Sequence, residues 1–357
     1  MARIPNSCLV CAFPAETGIG RSARNLFRLG FFDQAVFLKF DRRDPEVGYQ
    51  RVVHSRWSAL GGVGALASQY LPSRWREEVR KFDFVHFQSP HFFHLASAPK
   101  AATGTVHDTF FFDSPAGREY PWGARVYFRK EFASLPSMRG VVTDSASTER
   151  DVHAASPGSR TQVVHLWTDS TFVPRDRAEA RRTLGLPSDK VILLSVGSEN
   201  RLKNVDLLPP ILNELGSRFL LVRVGPSGTI LPRFKERVVT IPFETDDRYP
   251  HYFNAADMVL MPSRNEGFGY PLIEAVNSGT PVLASNIPVF QELLGTDYPY
   301  LLHPDRPEEW VAAARAVAEL GSSPEHPFSW YRRWDDYYRE ERGRQEFEAF
   351  FRSAGVL

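Results

Sequence analysis

At 357 residues, 43% hydrophobic and 24% charged, the chain has the make-up of an ordinary globular protein, long enough for two cores rather than one. Its 43 basic residues against 42 acidic ones leave a formal charge of +1, without the basic field of a nucleic-acid binder. No apolar run approaches the roughly 18–20 residues that cross a bilayer, and no leader precedes the first apolar run, so a cytoplasmic protein is expected.

Residues 7–13 form that first run and read as a strand. It contains the only two cysteines, Cys8 and Cys11. Spaced three apart on a strand they point to opposite faces, and no second pair exists to complete a zinc site, so they read as small core residues. Gly18-Ile-Gly20 then leads into an amphipathic helix from Arg21, and residues 34–40 read as the next strand. Strand, glycine turn, helix and strand make the start of a parallel α/β sheet. The glycine turn is a candidate contact for phosphate or sugar, although such a turn also serves as plain connection.

Residues 73–82 read as a helix with Trp75, Val79 and Phe82 on one face and Arg74, Arg76, Arg80 and Lys81 around it. That pattern suits either a solvated helix packed on the domain or an anionic membrane surface. Residues 84–87 form a buried-type strand, followed by His91 and His94. No carboxylate or cysteine stands at ligand-like spacing from these histidines and His86, so no metal site is expected. Residues 103–106 read as a strand running into His107-Asp108, at the strand-to-loop edge where α/β sites form. His107 there is either a functional group or a ring steadied by its neighbouring aspartate. Residues 140–143 are a strand, Asp144 to Arg150 opens a helix with capping chemistry, and residues 162–165 are another strand. Residues 169–187, rich in proline, arginine and aspartate, read as a linker.

Beyond it the alternation of strands and helices repeats. Residues 190–196 read as a strand, then a polar loop carries Arg201, Leu202, Lys203 and Asn204 before a helix at 205–215. Strands follow at 219–224, 238–241, 258–261 and 281–284, with helices at 249–256, 272–277 and 306–320 and a charged helix from about 332 to 351. Between two of these elements lies Glu266-Gly-Phe-Gly-Tyr-Pro-Leu-Ile-Glu274, two carboxylates separated by a flexible turn and a proline suited to a first helical turn. A strand, a glycine loop and a helix N-terminus present N–H groups and a positive dipole to an anion. The stretch suits a ligand with both phosphate and hydroxyl groups.

That stretch, with Ser278-Gly-Thr-Pro281 after it, resembles the donor-site signature of the retaining GT-B glycosyltransferases of family 4, the glycosyl transferases group 1. The loop with Gly197, Lys203 and Asn204 is similar to the family's second signature, Gly18-Ile-Gly20-Arg21 to its N-terminal glycine loop, and Val106-His107-Asp108 to its catalytic-face histidine. The resemblance implies two Rossmann-like doubly wound parallel-sheet domains facing across a cleft. It divides the chain into an acceptor-side domain at 1–168, a linker at 169–187, a donor domain at 188–327 and a helix at 328–357 that crosses back. It implies that Glu274 holds the ribose of a nucleotide diphosphate sugar and that Glu266, with Gly267, Phe268 and Gly269, holds the sugar. Lys203 would neutralise the diphosphate, Gly18 and Gly20 would let backbone approach the phosphates, and Leu272 would complete the donor site. His107 would face the sugar. The family usually carries an arginine directly before the lysine; here Leu202 stands there, so Arg201 is an alternative phosphate contact.

The function implied is transfer of a hexose such as mannose, glucose or galactose, with retention and without a metal or other cofactor; no Asp-x-Asp occurs in the chain. The acceptor is a glycan, a lipid-linked precursor or a small molecule, with contact to the inner membrane face left open. Rival readings are a glycoside hydrolase using Glu266 and Glu274, a nucleotide-sugar epimerase on the same fold, and a non-catalytic sugar-nucleotide binding protein.

Overall fold

A computed structural model of the chain describes residues 2–14, 17–39, 51–54, 74–110, 122–225, 236–242, 247–320 and 337–357. Residues 40 and 73 and the stretch 328–336, parts of elements read above, lie outside these. The chain divides into two compact units, Met1–Leu166 with Gly343–Leu357, and Trp167–Arg342.

The first unit is built on seven parallel strands: β1 (Ser7–Cys11), β2 (Gln34–Lys39), β3 (Arg51–His54), β4 (Phe84–Phe87), β5 (Ala101–Val106), β6 (Gly140–Thr143) and β7 (Thr161–Val163). Their order is β3-β2-β1-β4-β5-β6-β7, with Cys8 in register with Gln34 on one side and Val85 on the other. Strands β1, β4 and β6 are buried along their whole length, as short apolar runs in a parallel sheet covered on both faces must be. Connecting them are α1 (Gly18–Arg28), α2 (Arg74–Val79), α3 (Trp122–Ala133) and α4 (Ala146–Ala155). Strand β3 falls where residues 51–82 are expected from sequence to be helical or irregular, and helix α3 where the sequence marks no element. Neither carries the periodicity that marks an element from sequence, and tertiary packing decides both.

Three details of this unit bear on the sequence readings. Helix α1 begins at Gly18, so both glycines sit inside its first turn rather than in a loop before it. Thr17 caps it, its Oγ1 accepting from Gly20 N at 3.0 Å. The apolar face of α2 is used up internally: Trp75 and Val79 are wholly buried, and Trp75 Nε1 donates to the Val53 carbonyl at 3.0 Å. The three histidines also do not gather. His86 lies between the hydroxyls of Thr103 (2.8 Å) and Thr105 (2.9 Å), His91 packs edge-on against Phe13 and Phe128, and His94 pairs with buried Glu131 at 2.8 Å. Among the described residues no group of three metal-ligating side chains forms. Cys8 and Cys11 are buried free thiols, and burial, with the charge of Glu78, pushes the Cys8 thiol up.

The second unit carries six parallel strands: β8 (Val191–Val196), β9 (Phe219–Val224), β10 (Val238–Ile241), β11 (Met258–Met261), β12 (Val282–Ser285) and β13 (Leu301–Leu302), in the order β10-β9-β8-β11-β12-β13. Its helices are α5 (Arg177–Leu184), α6 (Leu208–Leu215), α7 (Tyr249–Ala255), α8 (Tyr270–Asn277), α9 (Pro288–Leu294) and α10 (Pro307–Leu320). Trp310, Ala313, Ala314 and Val317 of α10 face one core with Leu208, Ile211 and Leu212 of α6. Helix α5 falls within residues 169–187, read from sequence as a linker. It is capped by Asp176, ends on left-handed Gly185, and Arg181 bonds both the Ala255 carbonyl and Asp257 of this unit. A polar, proline-rich composition hides it, because it is held by these polar contacts at its ends rather than by an apolar stripe.

Helix α11 (Glu340–Ser353) closes the described chain, and from Gly343 onward it belongs to the first unit. There Phe351 packs on Phe31, Phe32, Phe84 and His86. Phe350 comes so close to Gly140 that a Cβ there would lie 2.9 Å from its ring.

Candidate active site

In both sheets the strand order changes direction next to the first strand, between β1 and β4 and between β8 and β11. Crevices for ligands in doubly wound sheets open at such points, outside the carboxyl ends of the strands. The sequence places polar residues at both edges.

In the second unit, the loop after β8 begins at Gly197 (φ +130°) and forms a short turn, Arg201–Lys203, capped by the Asn200 side chain accepting from Lys203 N at 3.0 Å. Asn204 takes a left-handed conformation (φ 51°) and its side-chain amide donates to the Pro304 carbonyl at 2.7 Å. This turn meets the loop after β11: Arg264 N donates to Leu202 O at 2.8 Å, and Lys203 Nζ donates to Glu266 Oε1 at 2.6 Å. Ser263 Oγ donates to the same carboxylate oxygen at 2.7 Å. Both bonds land on Oε1. The Lys203 side chain is 26% exposed and that of Glu266 8%. Lys203 is a cation bonded to Glu266, and Arg201 is exposed.

Residues 267–269 lead from Glu266 into α8. Gly269 has φ +108°, and a Cβ there would lie 2.9 Å from the Phe290 ring, so the turn requires glycine on both counts. Pro271 sits in the first turn, and no side chain caps the helix. Gly267 and Phe268 are buried, Phe268 packing edge-on to Tyr338 at 6.3 Å. Leu272 is a core residue, wholly buried. Glu274 is also wholly buried, and Tyr249 Oη donates to its Oε2 at 2.8 Å. At the other end of α8, Asn277 donates to Thr168 Oγ1 (2.7 Å) and to the Tyr338 carbonyl (3.1 Å). Tyr249, Ser263 and Asn277 escape sequence reasoning because no motif spacing links them to the carboxylates.

In the first unit His107 follows β5, and its partner is Asp144 after β6, rather than neighbouring Asp108. Nδ1 stands 2.6 Å from Asp144 Oδ2, and Nε2 stands 2.9 Å from the Gln88 carbonyl. Asp144 and the Gln88 carbonyl can only accept, and the Gln88 side-chain nitrogen also lies 3.3 Å from Nε2. Burial pulls the His107 pKa down, but the Asp144 charge and hydrogen bond, Asp108 and the Gln88 carbonyl outweigh it and raise it. The Gln88 amide in turn donates to Ser22 Oγ of α1 at 2.9 Å. The structure therefore brings Lys203 and Glu266 together, seats Glu274 on Tyr249, and ties His107 on both sides. Gly18 is exposed and Gly20 buried at the start of α1.

Two Rossmann-like parallel-sheet units with these residues at their strand ends define a glycosyltransferase of the GT-B fold. Residues 176–333 match the family described as "Glycosyl transferases group 1". It is 29% identical over 329 residues to a D-inositol 3-phosphate glycosyltransferase of Rhodococcus erythropolis, covering 84% of this chain and 69% of that protein. To the protein of the same name from Mycobacteroides abscessus it is 34% identical over 191 residues, 50% of this chain and 42% of that one. Among solved structures, Anabaena HepE in complex with UDP and glucose superposes with a TM-score of 0.79 at 16% identity, covering 97% of this chain and 99% of the other. Sucrose-phosphate synthase from Thermosynechococcus elongatus gives 0.68 at 19% identity, covering 98% and 96%. These two likenesses establish the fold.

Proposed function

We propose that this glycosyltransferase moves a hexosyl group from a nucleoside diphosphate sugar to an acceptor hydroxyl, with retention at the anomeric carbon and with Lys203 in the place a metal would otherwise take. The Lys203–Glu266 pair carries the reading. Its 2.6 Å bond and the Ser263 bond share one oxygen of Glu266, and the Lys203 side chain is partly exposed. Lys203 is thus placed to exchange part of its contact with Glu266 for a diphosphate oxygen, while the other oxygen of Glu266 takes a sugar hydroxyl. The α8 dipole adds to the attraction.

In the reaction the bond from C1 to the diphosphate oxygen breaks with its electron pair on the oxygen, and Lys203 stabilises that charge as it develops. The acceptor O–H gives its proton to the departing phosphate oxygen, and the new C1–O bond forms on the same face. Glu274, fixed by Tyr249, is assigned to the ribose, and His107, with both ring nitrogens engaged, to holding the strand ends of the first unit in place. HepE, solved with UDP and with UDP-glucose, suggests UDP-glucose as the first donor to try. The names of the curated relatives make D-inositol 3-phosphate the first acceptor. A peripheral membrane site is less favoured, because the apolar face of α2 is packed inside its unit.

The test is incubation with labelled donors over an acceptor panel, with the product's anomeric configuration read by NMR. A glycoside of the donor's configuration is expected; the opposite anomer would overturn the retaining assignment, and donor binding without turnover would revive a binding protein.

A further inference from the structure

Strand β9 reads Phe-Leu-Leu-Val-Arg-Val, and its fifth residue, Arg223, is 1% exposed. A strand buried along its whole length in a parallel sheet is expected to be apolar throughout. A buried guanidinium is costly to desolvate unless its donors are paired, so this one needs a reason. Its hydrogen-bond partners are all main-chain carbonyls at the carboxyl ends of β8 and β9. Nη1 donates to Ser195 O at 3.2 Å and Val224 O at 3.0 Å, and Nη2 donates to Gly197 O. Nε is buried without a partner. Burial pulls the Arg223 pKa down and the charge of nearby Glu199 opposes that, yet a guanidinium remains charged at neutral pH.

What the guanidinium fixes is the turn that carries Lys203. Gly197 accepts from Arg223 through its oxygen and donates to Val224 O through its nitrogen at 2.9 Å. Opposite it, a Cβ on Gly225 would fall 2.2 Å from that same Gly197 oxygen, so only glycine at 225 admits this close approach. The Lys203 side chain runs across Gly197: a Cβ there would lie 3.7 Å from Lys203 Cε and 3.9 Å from Cδ. From Arg223 the contacts therefore pass to Gly197, to the stem of Lys203, and to Glu266.

We infer that Arg223 is a positioning residue for phosphate recognition, its planar fork locking the Gly197 turn over which Lys203 reaches the diphosphate. The inference rests on the nucleotide-sugar reading above. A lysine keeps the charge but cannot span three carbonyls, and a methionine keeps the bulk without donors.

Calorimetry on the full chain decides it, using whichever of UDP, GDP and ADP the wild type binds best, together with the matching nucleoside. Arg223→Lys and Arg223→Met should each weaken the diphosphate about tenfold, roughly one charge-assisted contact, and leave the nucleoside unchanged. In a Lys203→Ala background the same changes should add nothing further, because both act through one contact. Equal losses for diphosphate and nucleoside, or losses that add in the double variant, would overturn the inference and leave Arg223 a plain fold residue. Should neither Arg223 variant fold, Gly197→Ala disturbs the same turn with the guanidinium in place. It should show the same selective loss, and unchanged diphosphate affinity there would also overturn the inference. A wild type that binds none of the three diphosphates would instead sink the nucleotide-sugar reading itself.

Discussion

The two units present their polar groups in opposite ways at the carboxyl ends of their sheets. In the second unit Lys203 and Glu266 form a partly exposed pair: both bonds to the carboxylate share an oxygen, and the Lys203 side chain is about a quarter exposed. In the first unit His107 is closed on both sides, by Asp144 and by the Gln88 carbonyl, and almost nothing of it is exposed. An ion pair that can trade one contact for a ligand suits binding and charge stabilisation. A doubly bonded buried pair suits holding three strand ends in register. In the linear chain both sites read alike, as charged groups where a strand meets its loop, and geometry separates them.

The sharpest way to break this contrast is His107→Ala. It leaves Asp144 buried without its cation, which should cost about 3–5 kcal/mol and lower the melting temperature by about 10 °C. If melting is unchanged while transfer disappears, His107 is a catalytic group and the contrast fails. Lys203→Ala should do the reverse, lowering kcat by about 10²–10³ with the melting temperature nearly kept, since its pair is partly exposed. Steady-state kinetics and a thermal melt together check it. Tyr249→Phe removes one bond from the buried Glu274 carboxylate and should cost about 1.5–3 kcal/mol, in stability or in donor affinity. A change below a few tenths of that range would remove Glu274 from the donor site.

The pH dependence of stability separates the buried histidines. His107 has a folded pKa raised above the ordinary 6.5, so its contribution is whole below about pH 6.5 and fades as pH rises through the folded value. Burial lowers His86 to about 3, with His107 adding to the shift, and lowers His91 to about 4, so below pH 6.5 the unfolded chain takes up their protons first. Urea midpoints should thus be highest near pH 6.5 and fall about twice as steeply on the acid side, two protons against one. A midpoint that keeps rising through pH 8 would contradict the raised His107 pKa. The smallest effect is expected from Arg74→Gln with Arg80→Gln, two exposed residues of the α2 region, within about 0.5 kcal/mol of wild-type stability and without loss of transfer.

Much of the second unit was legible in the chain. Its strands are short apolar runs between polar turns, and the spacing of Glu266, Gly269, Pro271 and Glu274 encodes a strand, a turn and a helix start within a few residues. Local chemistry fixes such a motif, so a linear reading finds it. Helix α5 was missed because its stabilising partners, Ala255 and Asp257, lie some seventy-five residues away. Asp144 was read as part of a helix cap; Ser145 is the cap, and the aspartate turns to His107 thirty-seven residues earlier.

By itself, then, the sequence determined the α/β alternation, the glycine turn that only Gly269 can make, and the family to which the donor-side residues point. Each follows from interactions among neighbours in the chain. Which cation meets Glu266, which side of His107 is taken, and why an arginine lies inside an apolar strand were decided only by tertiary structure. Those answers depend on parallel strands bringing distant loops to one edge, where a carbonyl or a carboxylate from elsewhere in the chain completes each bond.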